Sequence, residues 1–153
     1  MEIDAVEPAV RAAFEASVEE DPDRFHEAIE DILDRGDDFT IEAFQLAINV
    51  TAIVLQDMHD GEVPGAQEIS DLAEDFAETQ EDWSEVSADL ARTYMASAMG
   101  EEAVLDVMSP GDVAVTGFAL GGWLVSAFLP EDKDWSTYLD EVLKALEAAL
   151  AEE

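Results

Sequence analysis

Along most of this chain, apolar residues recur at intervals of three and four, the spacing that places them on one face of an α-helix. Ile3, Val6, Val10, Phe14 and Val18 make the first such face. With Pro8 placed in a first turn, the regular helix is expected at about residues 8–19. Asp21-Pro22 reads as an N-cap followed by a proline at the first helical position. It opens a second helix that buries Phe25, Ile29, Ile32 and Leu33, and Gly36 stops it after Arg35. Thr40 is placed as the cap of a third helix running to about residue 59. Ile41, Phe44, Ala47, Ile48, Thr51, Val54, Leu55 and Met58 keep the helical period there, and Leu46, Val50 and Ile53 fill the other faces. A helix apolar nearly all round belongs in the middle of a bundle.

Gly61 and Pro64-Gly65 mark the next loop. Beyond it, Ile69, Leu72, Ala73 and Phe76 form one stripe, and Trp83, Val86, Leu90, Tyr94 and Met95 another. Thr79 followed by Asp82 resembles a helix start, so a break is predicted near Thr79. Gly100 ends this region, a short helix covers about 101–108, and Ser109-Pro110 opens a long one that ends at Leu129 before Pro130. The last helix follows Asp134 and buries Trp135, Tyr138, Leu139, Val142, Leu146 and Leu150. The nearest strand-like alternation, Val113, Val115 and Gly117, lies inside a predicted helix.

The expected fold is therefore all-α: one domain over residues 1–153, a compact bundle of about seven to eight helices. Two apolar helices, roughly 40–59 and 110–129, are its expected centre. Gly117 and Gly121 are four apart and share a face, which lets another backbone come close within the domain.

Charge changes the picture more than anything else in the composition. Against 39 acidic residues stand 6 basic ones, a net charge of −33 with neutral histidines. At 48% hydrophobic residues, the chain is nevertheless rich enough in apolar side chains to exclude a disordered acidic tail. Much of the surface must repel itself, so folding is expected to need screening salt. Direct binding to nucleic acid or to an anionic membrane requires a basic footprint that this chain lacks. The absence of cysteine removes disulfides, thiol catalysis and thiolate metal sites. The N-terminal MEIDAVEPAV has no basic stretch and no long apolar run, so it does not read as a signal peptide. The uncharged stretch from Val113 to Leu129 has acidic flanks and three glycines, and reads as a core helix instead of a membrane span. A cytoplasmic protein is expected.

Motifs for specific chemistry fail on residue type. A calcium loop counted from Asp31 places Gly36 and Glu42 correctly, but puts Leu33 and Arg35 where oxygen ligands belong. In His26-Glu27-Ala28-Ile29-Glu30, a zinc helix would need histidine at the last position. For a di-iron bundle, the residues three before His26 and His59 would be glutamates; they are Asp23 and Gln56. The chain has no Gly-Lys dipeptide for a P-loop and no G-x-S-x-G elbow. No cofactor, metal or catalytic residue is assigned, and a non-enzymatic protein is expected.

What remains is the distribution of acid. Asp23, Glu27, Glu30 and Asp34 lie opposite the apolar stripe of the second helix, and Asp71, Glu74, Asp75 and Glu78 form a second dense group. Three readings follow. Carboxylates spread over nearly every amphipathic helix, two lysines and 24 alanines fit adaptation to a cytoplasm of molar salt. The same rows of carboxylate could imitate nucleic acid and occupy a basic protein surface, as an inhibitor, antirepressor or immunity protein does. A small-ligand binder or enzyme with an unmarked pocket is the third. The expected partner is a basic protein or a second copy of the chain.

Overall fold

In a computed structural model, residues 3–100, 104–127, 129 and 134–151 are described. Eight helices follow one another among them: α1 (Ile3–Val18), α2 (Pro22–Asp34), α3 (Asp37–Met58), α4 (Ala66–Ser84), α5 (Ala88–Met99), α6 (Val104–Val107), α7 (Pro110–Ala127) and α8 (Trp135–Ala151). No strand occurs among the described residues. The fold is an all-α bundle.

Local chemistry explains several boundaries. The Asp21 carboxylate accepts from the Arg24 N–H, and Pro22 fills the first helical position, where a missing N–H costs nothing. Ser109 does the same for α7 by accepting from the Asp112 N–H at 3.3 Å. Gly36 separates α2 from α3 with a φ of 107°, a left-handed value that a side chain disfavours.

Elsewhere packing overrides the local signals. α1 starts at Ile3 and carries Pro8 inside it, because Ile3 and Val6 bury on the same stripe as Val10 and Phe14. That burial outweighs the one backbone bond proline removes near a helix start. α3 starts at Asp37, not after Thr40. The Thr40 hydroxyl instead donates to the Gly36 and Ile32 carbonyls, which ties the end of α2 to α3, while Asp37 and Asp38 favour the positive end of the helix. α4 runs unbroken through Thr79, whose hydroxyl bonds back to the Asp75 carbonyl. Ile69, Leu72, Ala73, Phe76, Gln80 and Ser84 form one continuous buried stripe, so a break at Thr79 would have split it. The chain turns instead at Glu85, with a φ of 62°, and Ser87 caps α5 through the Leu90 N–H. α7 ends at Ala127, before Leu129; Pro130, residues 101–103 and the side chain of Leu150 lie outside the described residues.

α7 is the enclosed element. Twelve of its 18 residues are buried, and it packs against α1, α3, α4, α5, α6 and α8. α3 is central on one side only: Phe44, Leu46, Val50, Val54 and Leu55 face inward, and Ile41 stays 44% exposed. Leu33, expected in the buried stripe of α2, is 49% exposed, because it follows Ile32 by 100° of helix rotation and leaves the inner arc.

The glycines of α7 divide between two neighbours. A Cβ on Gly121 would lie 2.5 Å from Phe14 Cε1, and one on Gly122 would lie 2.9 Å from the Phe14 carbonyl oxygen, so α1 presses directly on this turn. The Ser17 hydroxyl donates to the Ala119 carbonyl at 2.8 Å across the same contact. Gly117 does not share that neighbour: it makes room for the Tyr94 hydroxyl on α5. Around this seam Phe14, Phe44 and Phe118 meet, with Phe118 6.1 Å from Phe14 and 6.3 Å from Phe44 between ring centres.

A methyl group at Gly122 meets backbone, which cannot rotate away. Gly122→Ala is expected to cost about 1–3 kcal/mol, read as a lower Tm. Gly111→Ala, at a helical position where a Cβ meets nothing within 4 Å, is expected to be neutral or stabilising. Equal melting of the two variants would contradict the close α1–α7 approach.

Candidate functional site

The eight carboxylates singled out in the sequence are all exposed. On α2, Asp23, Glu27, Glu30 and Asp34 recur every three or four residues and form one stripe opposite buried Phe25, Ile29 and Ile32. On α4, Asp71, Glu74, Asp75 and Glu78 gather on one face opposite Ile69, Leu72 and Phe76. The two helices meet where the Phe25 ring stands edge-on to Trp83, 5.1 Å between centres, so the start of α2 touches the end of α4. Exposed Glu81 and Asp82 add charge on that last turn.

The cations do not neutralise these stripes. Arg24 pairs with Glu15 and Glu19, Arg35 with Asp31, and Arg92 with Asp89. Among the described residues, none of the eight stripe carboxylates is in an ion pair; Asp71 accepts from the Gln67 amide at 3.0 Å. Asp31, first in the near-calcium pattern, is held 3.0 Å from Arg35, its fifth position, so a cation of the chain itself satisfies that carboxylate. His59 donates from Nδ1 to the Leu55 carbonyl at the end of α3, and His26 is exposed on α2. Among the described residues, no group of three or more histidines and carboxylates is placed to hold a metal ion.

Arg11 is the cation that sequence periodicity does not reveal. It lies on α1 and donates to Glu7 at 2.7 Å, to the Ser136 hydroxyl at 2.9 Å and to Asp140 at 2.6 Å, joining α1 to α8. Partial burial works against its charge, but the bonds to Glu7 and Asp140 outweigh it and hold its pKa above the ordinary value. Below Arg11, Asp4, Glu7, Asp140, Lys144 and Glu147 rim an open groove of about 330 Å³ floored by Ile3 and Leu143.

A second, smaller groove of about 160 Å³ lies between α3 and α8, lined by Ile53, Asp57, Tyr138, Glu141, Val142 and Ala145. The Tyr138 hydroxyl donates to Asp57 at 2.7 Å. Burial, that bond and the negative charge of Asp57 and Glu141 all raise the phenol's pKa, so it stays protonated and acts as a donor. Trp135 and Tyr138, expected to be buried, are only partly covered, because α8 lays its Leu139, Val142 and Leu146 face on the bundle.

The core itself contains hydroxyls. Thr51 on α3, Tyr94 on α5 and Thr116 on α7 are fully buried. The Tyr94 hydroxyl faces that of Thr51, but neither these two nor Thr116 makes a hydrogen bond of normal geometry. Burial raises the Tyr94 pKa and the contact with Thr51 lowers it by less, so the phenol stays neutral. A neutral phenol shut away from solvent has no route to exchange protons with a substrate.

Compared with known proteins, the chain matches no family model, no curated protein and no solved structure.

An unbonded buried hydroxyl costs about 1–3 kcal/mol of desolvation. Tyr94→Phe removes it while keeping the ring, so its Tm is expected to rise. A fall in Tm would mean that the hydroxyl is bonded in solution.

Proposed function

We propose that this chain is a non-enzymatic, acidic helical protein of a high-salt cytoplasm that works through contact with other proteins. The observation that carries the reading is the outward placement of carboxylates on helix after helix with almost no cation to balance them. Asp4, Glu19, the α2 and α4 stripes, Asp89, Asp140, Glu141 and Glu147 are all exposed. The arginines are used in a few pairs with nearby carboxylates, Arg11 across α1 and α8 and the rest close in sequence. Such a surface destabilises a compact chain in dilute buffer through self-repulsion, and concentrated salt relieves it. It also keeps the protein hydrated and monodisperse where salt salts out ordinary surfaces. Binding to nucleic acid or to an anionic membrane is disfavoured by the same charge.

A second reading rests on the two stripes. Carboxylates about 5–6 Å apart along α2 and again along α4 give rows of regular negative charge that a basic protein surface could read in place of nucleic acid. The Phe25–Trp83 contact holds the two rows at a fixed relation.

The two readings separate in dilute buffer. Salt adaptation predicts that Tm rises by on the order of 10 °C or more between 0.1 and 2 M KCl, with most of the gain before the Debye length falls to about 3 Å. Replacing Asp23, Glu27, Glu30 and Asp34 with their amides should then recover part of that gain without salt. A mimic needs no salt to stay folded: a Tm independent of KCl would contradict salt adaptation and leave the rows of charge as a binding device.

A further inference from the structure

The seat of α8 is flanked by like charge on both sides. Its apolar face, Leu139, Val142, Leu143 and Leu146, is buried, and the helix rests on α3 and α7. An open groove runs along each flank. The one of about 330 Å³ separates α8 from α1, and the one of about 160 Å³ separates it from α3. Asp4 and Glu7 of α1 share the first groove with Asp140 and Glu147 of α8, and Asp57 of α3 shares the second with Glu141. Lys144 lines the first groove and, among the described residues, is in no ion pair. Among the described residues no cation lines the second. Carboxylates thus outnumber cations on both flanks. The seam between α1 and α7, by contrast, is built of Phe14, Ser17 and glycines.

Arg11 is the charge that lets α8 approach α1. Its Nη2 donates to Glu7 on its own helix at 2.7 Å and to Asp140 on α8 at 2.6 Å, so carboxylates from two helices converge on one nitrogen. Side-chain bonds tie α8 to its neighbours from Ser136, Tyr138 and Asp140, all within its first two turns. Salt acts unequally on these forces. Charges facing each other across an open groove are screened as the Debye length falls from about 10 Å in 0.1 M salt to about 3 Å in 1 M. The direct contacts of Arg11, whose side chain is 23% exposed, are screened less. Concentrated salt therefore removes more repulsion than attraction and seats α8 more firmly.

We propose that α8 is a salt-operated latch: in dilute buffer it swings off α3 and α7 while the rest of the bundle stays folded, and in concentrated salt it closes. The proposal rests on the salt-adaptation reading above and locates where ionic strength acts first. Opening bares the apolar face of α8 and its seat on α3 and α7, so the protein presents a different surface in dilute solution. The last helix of a domain frays in many proteins. Control by salt and by local charge is what marks a latch.

The test is amide hydrogen exchange on the full chain in 0.1 and 2 M KCl, read as the ratio of α8 to α7 rates so that the effect of salt on intrinsic exchange cancels. In 0.1 M KCl, α8 is expected to exchange at least tenfold faster than α7, and in 2 M KCl that ratio is expected to fall at least tenfold. D4N/E147Q removes one carboxylate from each wall of the α1–α8 groove and is expected to narrow the ratio in 0.1 M KCl, as salt does. D23N/E27Q removes the same charge from α2, again with one change in a first helical turn, and is expected to leave the ratio wide. Arg11→Gln is expected to widen it in 2 M KCl, with slow exchange in α7 showing that the bundle is folded.

Equal exchange of α8 and α7 in 0.1 M KCl overturns the latch. So does a ratio that salt leaves unchanged, or one that D23N/E27Q narrows as much as D4N/E147Q. The melting temperature of the same protein against KCl then judges the other reading separately. A Tm that rises leaves salt adaptation standing without the latch, and a flat Tm removes both.

Discussion

The structure depends on the enclosure of α7. A chain that repels itself over most of its surface must hold together from the inside, and α7 is where six of the other helices find a common apolar neighbour. Its residues differ from those of the amphipathic helices in kind. Gly117, Gly121 and Gly122 remove side chains where Tyr94 and α1 come in, and Phe118, Leu120 and Leu124 fill the space between. The seam with α1 is close enough for a side-chain-to-backbone bond from Ser17 to Ala119. Dispersion and burial at such a contact do not weaken with salt, whereas the repulsion outside does. Stability therefore becomes a contest between a salt-insensitive core and a salt-sensitive surface.

The same division organises the polar contacts. Cations are rare, and some of them join two elements. Arg11 links α1 to α8, and Arg35 pairs with Asp31 on its own helix while its guanidinium lies 5.0 Å over the Phe39 ring. Ties that do not depend on charge balance connect other elements: Thr40 to the end of α2, Tyr138 to Asp57, and Ser17 to the Ala119 carbonyl. With so few cations to pair, such ties matter more to this chain than they would to one with a balanced surface.

Much of the fold was legible in the sequence because helical period and caps are local. Asp21-Pro22 and Ser109-Pro110 mark true starts, and the stripes of α1, α4 and α8 bury largely as their spacing requires. Where the reading failed, a distant contact decided the outcome. Pro8 lies inside α1 because Ile3 and Val6 have somewhere to pack, and Thr79 lies inside α4 because Phe76 and Gln80 share one buried face across it. Leu33 lies at the edge of the inner arc of α2 and Ile41 on the side of α3 that no neighbour covers, so both are apolar yet exposed. The acidic stripes were legible as faces. The contact of α2 with α4 at Phe25–Trp83 and the role of Arg11 depend on how the helices are arranged, which one sequence does not encode locally.

Amide hydrogen exchange measures the balance of core and surface directly. Amides of α7 are expected to be the slowest in the chain, exchanging only through global unfolding, and to slow further as KCl rises while exposed turns of α2 change little. Exchange in α7 as fast as in α2, or protection indifferent to salt, would contradict a fold held from the inside against its own charge.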